Sequence, residues 1–174
     1  MPAQRPHKAK PEIYLPPAPE GHFNPKVPGI DYGVLDGLIG YTVRRAQIVQ
    51  YEHFVESLAS WNITPPRFSA LVIISCNPSL KLTELANVLG IARSGAVALI
   101  NSLEDLGYVV RVPSPTDRRA LGLELTPKGA QDLPAIIQAV VAQDQRVAQC
   151  LNPQEQQQLV SLLARVAGFQ PPQL

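Results

Sequence analysis

The chain has 174 residues, enough for one domain with a substantial core. With 15 Lys and Arg against 14 Asp and Glu, the formal charge is +1, which neither demands nor forbids a nucleic-acid partner. Nowhere do about 18 apolar residues follow one another, so no transmembrane helix is expected, and the basic opening residues 1–10 lack the apolar run of a secretory signal, which makes the cytoplasm the expected location.

Residues 1–30 hold 8 of the 18 prolines and little hydrophobic periodicity, which reads as an extended arm with His22, Phe23 and Ile30 as docking points. Residues 31–61 read as one long helix. Leu35, Leu38, Ile39, Thr42, Ala46, Val49 and His53 fall on one face, and Ile48, Tyr51, Val55 and Leu58 form a second apolar stripe. A helix with two apolar faces needs two things to pack against, its own domain and a partner subunit.

Thr64-Pro65 is a cap followed by a first-turn proline, opening a helix to Cys76. Thr83 reads as the cap of a short helix that Gly90 stops. A further helix spans 94–106, ended by Gly107, with Val97, Ile100, Leu103 and Leu106 facing its core. Residues 108–112 and 121–125 read as two strands joined by the polar, proline-rich Pro113-Ser114-Pro115-Thr116-Asp117-Arg118-Arg119. Thr126-Pro127 repeats the cap-plus-proline signature and opens a long helix to Cys150. Asn152-Pro153-Gln154-Glu155 is a capping box that starts a last helix to Ala167.

The two cysteines, Cys76 and Cys150, are too few for a disulfide scaffold and lack metal-ligand spacing. Cys76 ends the apolar run Ala70-Leu71-Val72-Ile73-Ile74-Ser75, so a buried, inert thiol is expected there rather than a redox sensor. The histidines His7, His22 and His53 belong to no linear catalytic or metal motif, and no phosphate-binding glycine loop or nucleophile elbow occurs. No enzyme activity and no cofactor is expected.

Two short helices joined by Gly90-Ile91-Ala92, followed at once by a hairpin, make a winged helix-turn-helix. The second helix can enter the major groove, and Arg118 and Arg119 at the wing tip can reach a narrow, negative minor groove. Asp117 can pair with a neighbouring arginine and hold it extended. Alone, the acid-base triplet would read as an ordinary solvated turn. The helix order on both sides gives it meaning.

Four stretches, Leu82-Thr83-Glu84-Leu85-Ala86, Leu103-Glu104-Asp105-Leu106-Gly107-Tyr108-Val109, Asp117-Arg118-Arg119-Ala120 and Leu125-Thr126-Pro127-Lys128-Gly129, occur in an order that resembles the multiple-antibiotic-resistance regulator (MarR) family over about residues 31–168. The resemblance implies a mainly α fold with a small β-hairpin wing and long N- and C-terminal dimerisation helices. Its expected organisation is an arm at 1–30, a dimerisation helix at 31–62, a winged helix-turn-helix at 63–128 and dimerisation helices at 129–174. It further implies a homodimer on a pseudo-palindromic DNA operator, repressing until a small ligand releases it. Carried over by position, Arg93, Ser94, Gly95, Val97, Ala98 and Asn101 would face the groove, with Val97 alternatively a core residue, and Asp117, Arg118 and Arg119 would form the wing tip. Where the family often has polar or basic residues, this chain has Gly95, Val97 and Ala98.

The same resemblance places an effector pocket under the first helix. Tyr41, Arg44, Arg45 and His53 are the candidates there. The arginines can pair with a ligand carboxylate or bridge to acids such as Asp36 or Glu52, and His53 can be a core residue or a ligand contact. An aromatic carboxylate or its thioester is the effector expected from family members that govern aromatic-acid breakdown. A thiol-based oxidant sensor of the same fold, using Cys76 or Cys150, is the alternative.

Overall fold

The computed structural model describes residues 21–113 and 121–170. Most of the proline-rich arm, the expected wing tip Asp117-Arg118-Arg119 and the last four residues lie outside the described residues. The chain forms two compact units that divide after Val49.

In the first unit the expected continuous helix is interrupted. A 3-10 turn at Gly33–Gly37 is followed by Leu38 in an extended conformation (φ −90°, ψ 123°), and only then does α1 begin, at Ile39–Ser57. Gly33 occupies φ +52°, where a side chain is disfavoured, and the glycine pair Gly33 and Gly37 weakens helix on either side. The other end is also shorter than expected: a 3-10 turn at Ala59–Trp61 ends at Asn62, which is left-handed at φ 54°. Residues ahead of the turn also dock through Lys26 and Val27. The Lys26 ammonium pairs with Asp36 and lies 4.4 Å from the Tyr32 ring centroid, and the Val27 N–H donates to the Tyr32 hydroxyl at 3.1 Å.

The second unit begins within α1 and carries the hydrophobic core. Leu58, Leu71, Ile74, Leu85, Ile100, Leu103, Leu123 and Ile136 are fully buried. They come from nearly every element of the unit: α2 (Pro65–Cys76), α3 (Leu82–Leu89), α4 (Arg93–Asp105), the strands and α5 (Pro127–Val147). α6 follows at Pro153–Val166. The sheet has three antiparallel strands in the order β1-β3-β2. β2 (Val109–Pro113) and β3 (Leu121–Leu125) are the expected wing strands. β1, Leu80–Lys81, was not foreseen and pairs Leu80 with Leu123.

Local chemistry explains the boundaries. Gly90 ends α3 at φ +65°, and α4 departs at 109° to it, the angle of a helix-turn-helix. The N-cap of α3 is Lys81, not the expected Thr83, which lies inside the first turn. The Glu84 carboxylate accepts from the Lys81 backbone N–H at 2.8 Å. Thr64 precedes α2 as expected but makes no side-chain cap bond, whereas the Thr126 hydroxyl accepts from the Gly129 N–H at 3.0 Å. Asn152 and Glu155 form the expected reciprocal box.

Two glycines mark close approaches. A Cβ on Gly122 would stand 2.7 Å from the Ser79 Cα, where β1 meets the wing, and one on Gly129 would stand 2.3 Å from the Tyr108 carbonyl oxygen. The Leu125-Thr126-Pro127-Lys128-Gly129 stretch therefore fastens the start of α5 to the end of α4. Its Thr126 hydroxyl donates to the Gly107 carbonyl at 2.6 Å, the Thr126 N–H to the Tyr108 carbonyl at 3.0 Å, and the Lys128 ammonium to the Leu106 carbonyl at 2.7 Å.

Candidate nucleic-acid interface

α4 buries Ala96, Ile100 and Leu103 and turns its other side outward. Arg93, Ser94, Gly95, Val97, Ala98 and Asn101 are all exposed, so the six expected groove-facing residues share one accessible surface. Val97, read alternatively as core, is 36% exposed. The inward residue at that turn is its neighbour Ala96. Arg67 sets the helix in place: its guanidinium reaches the Ser102 hydroxyl at 3.2 Å and the Asn62 carbonyl at 2.7 Å, tying α2 to α4.

The β2–β3 ladder runs as far as the Pro113–Leu121 pair. Arg111, half-buried on β2, joins the wing to the helix in a way that spacing alone does not reveal. One guanidinium nitrogen pairs with the Glu104 carboxylate, and the other donates to Asn101 Oδ1 at 2.8 Å. A β-branched strand context marked Arg111 only as a strand residue, and its partners lie across the turn at Gly107.

Of the expected effector residues, Tyr41 and Arg45 lie together. The Arg45 guanidinium lies 5.1 Å from the Tyr32 ring centroid and 5.2 Å from that of Tyr41, with an Asp36 carboxylate oxygen at 3.5 Å. The acid-bridging alternative thus describes Arg45. The Lys26 hydrogen bond, first, holds the Asp36 carboxyl below its usual range; desolvation opposes it, and the nearby Lys26 and Arg45 charges add to the lowering. Arg44 is exposed and donates to Gln47 at 3.4 Å. His53, in the second unit, is not a core residue. Its ring is half-exposed and faces the Glu56 carboxylate at 3.9 Å.

Cys76 is exposed, contrary to the expected buried thiol. The apolar run that precedes it belongs to α2, but Cys76 is the last residue of that helix and clears the core. Cys150 is exposed as well.

A groove of about 700 Å³ opens between the end of α2, β3 and α5, lined by Ile74, Leu125, Leu133, Pro134 and Ile137 with the Glu124 carboxylate at its side. Glu124 accepts from the Ser79 hydroxyl at 3.0 Å. Its lining holds no cation among the described residues. Pro134 lies inside α5, where it removes a backbone donor from the helix interior.

The MarR family model matches residues 61–120. A regulatory protein assigned to the hcr operon of Thauera aromatica is 38% identical over 136 residues, spanning 78% of this chain and 82% of that protein. The chain belongs to the MarR family. Among solved structures, the transcriptional repressor CouR bound to a 23-mer DNA duplex superposes with a TM-score of 0.75 at 37% identity, over 79% of this chain and 98% of that one. CouR bound to p-coumaroyl-CoA gives 0.74 at 34% identity, over 80% and 98%. The protein is accordingly a DNA-binding transcriptional repressor of the MarR type and not an enzyme. Among the described residues no single helix is long and apolar enough to cross a membrane.

Proposed function

We propose that this MarR-type repressor acts as a homodimer on a pseudo-palindromic operator, and that an aromatic acyl thioester releases it. The exposed face of α4, flanked by the β2–β3 wing, carries the reading: Arg93, Ser94 and Asn101 supply polar groups, and Val97 and Ala98 present methyl groups to thymine methyls beside the bare backbone of Gly95; Arg118 and Arg119 are assigned to the flanking backbone or minor groove. Residues 63–128 form the DNA-binding domain, with 31–62 and 129–174 as dimerisation helices. α6 supports this division, because it buries only Ala164 and leaves Leu159, Leu162, Leu163 and Val166 exposed for a second copy.

The groove chemistry favours thioester over free acid. A carboxylate placed beside Glu124 meets like charge with no cation in the lining, whereas a thioester carbonyl is neutral and its aryl group suits the apolar walls. The CouR complex with p-coumaroyl-CoA supports this choice of ligand class.

The test is fluorescence anisotropy with labelled DNA from upstream of the protein's own coding region, titrated with p-coumaroyl-CoA, p-coumarate or coenzyme A. Release by the thioester alone is expected. Release by p-coumarate at equal concentration would overturn the preference, and failure of all three to release bound DNA would remove this ligand class.

A further inference from the structure

Of the polar side chains on the outer face of α4, Asn101 is held by a charged neighbour. Its Oδ1 accepts from an Arg111 guanidinium nitrogen at 2.8 Å while the same guanidinium pairs with Glu104. A guanidinium has donors and no acceptor, so the Asn101 atom it holds is the amide oxygen. A charge-assisted bond also settles which way the amide lies: the oxygen turns toward β2 and the NH2 group turns away. Asn101 is exposed, so that NH2 group meets whatever lies against α4.

The consequence is chemical. An asparagine that reads adenine does so with both ends of its amide, accepting from the 6-amino group and donating to N7. Here Arg111 takes one of the two lone pairs of Oδ1 and sets a guanidinium charge 2.8 Å away, which opposes the partly positive hydrogens of a base amino group at the other. The two N–H donors of Asn101 remain fully usable, and they match acceptors: guanine N7 or O6, thymine O4, or a phosphate oxygen. On the reading that α4 faces DNA, we propose that Asn101 contacts DNA as a hydrogen-bond donor only, and that Arg111 is the positioning residue that makes it so. Arg111 touches no base. It determines what its neighbour can recognise.

The experiment is selection of binding sites from a random-sequence duplex library by the full chain, its Asn101→Ala variant and its Arg111→Met variant, with Arg111→Lys retaining the charge as a control for fold. If Asn101 contacts a base, Asn101→Ala erases the preference at one position, and replacing any adenine at that position by purine, which lacks the 6-amino group, leaves wild-type affinity within roughly twofold. Arg111→Met then changes the preference at that position alone, and Arg111→Lys restores it in part. If Asn101 contacts a phosphate, Asn101→Ala weakens all selected sequences alike, and Arg111→Met adds nothing to it in the double variant. The proposal is overturned if removing the 6-amino group weakens wild type by roughly fivefold or more but not Asn101→Ala, the loss a bidentate adenine contact implies. It is equally overturned if Asn101→Ala changes neither preference nor affinity, or if the two substitutions act independently. A library from which the wild-type chain enriches nothing would refute the DNA-facing reading of α4 itself.

Discussion

The first turn of α5 packs directly on Tyr108: the Gly129 Cα lies against the Tyr108 carbonyl so closely that a Cβ there would come within 2.3 Å of the oxygen. Backbone cannot retreat as a flexible side chain can, because Tyr108 is buried and its carbonyl also accepts from the Thr126 N–H.

Gly129→Ala therefore destabilises the fold by about 1–3 kcal/mol, the usual range for overpacking at a tight contact. Urea denaturation followed by circular dichroism should show a lower midpoint at unchanged slope. An unshifted midpoint would mean that the two segments separate freely.

The two Thr-Pro signatures separate in the same assay. Thr126→Ala removes a hydroxyl that both caps α5 and bonds the Gly107 carbonyl, a loss of about 1–2 kcal/mol. Thr64→Ala removes a hydroxyl with no cap bond and is expected to stay within about 0.5 kcal/mol. Equal effects of the two would contradict the assignment.

Tyr108 gives an alkaline signature. Burial raises its phenol above the ordinary value near 10.0, and the Asp132 carboxylate beside it raises it further. Because the folded state holds the proton more tightly than the unfolded state, this stabilisation is present below the unfolded value and is lost as pH rises through the folded one. Thermal melts between about pH 9 and 11 should decline less steeply for Tyr108→Phe than for wild type. Parallel declines would exclude Tyr108 as the source.

Arg119→Ala at the wing tip is expected to weaken operator binding by about 1–3 kcal/mol while leaving the melting temperature unchanged. Its measurement is anisotropy at several salt concentrations, and wild-type affinity in the variant would exclude Arg119 from the contact.

Both cysteines are exposed, so the oxidant-sensor alternative has a direct test. Exposure alone does not activate a thiol. Operator binding by the Cys76→Ser/Cys150→Ser double variant and by wild type should respond alike to peroxide. Loss confined to wild type would favour a sensor.

Helix order, the wing strands and the capping box at Asn152 were legible because caps, stops and periodicity are local signals. What escaped was set by contacts between distant residues or by where an element leaves the core. β1 is too short for any period and exists through its pairing with β3. The apolar run before Cys76 shows which residues prefer burial but not that α2 runs two residues past its last buried one, Ile74. The choice between Val97 and Ala96 as the inward residue is one step of helical phase, finer than an apolar pattern fixes. The tie from Arg111 to Asn101 and Glu104 crosses the turn between helix and wing, and no spacing rule announces it.

α5 has 21 residues and starts at the staple to Gly107 and Tyr108. At 1.5 Å per residue it is a strut of roughly 31 Å, so tilting it by about 5° about one end carries the other by roughly 3 Å. With no slack loop at the stapled end, α4 turns with the start of α5, so a displacement of roughly 3 Å at the far end reaches the reading surface as a rotation of only about 5°.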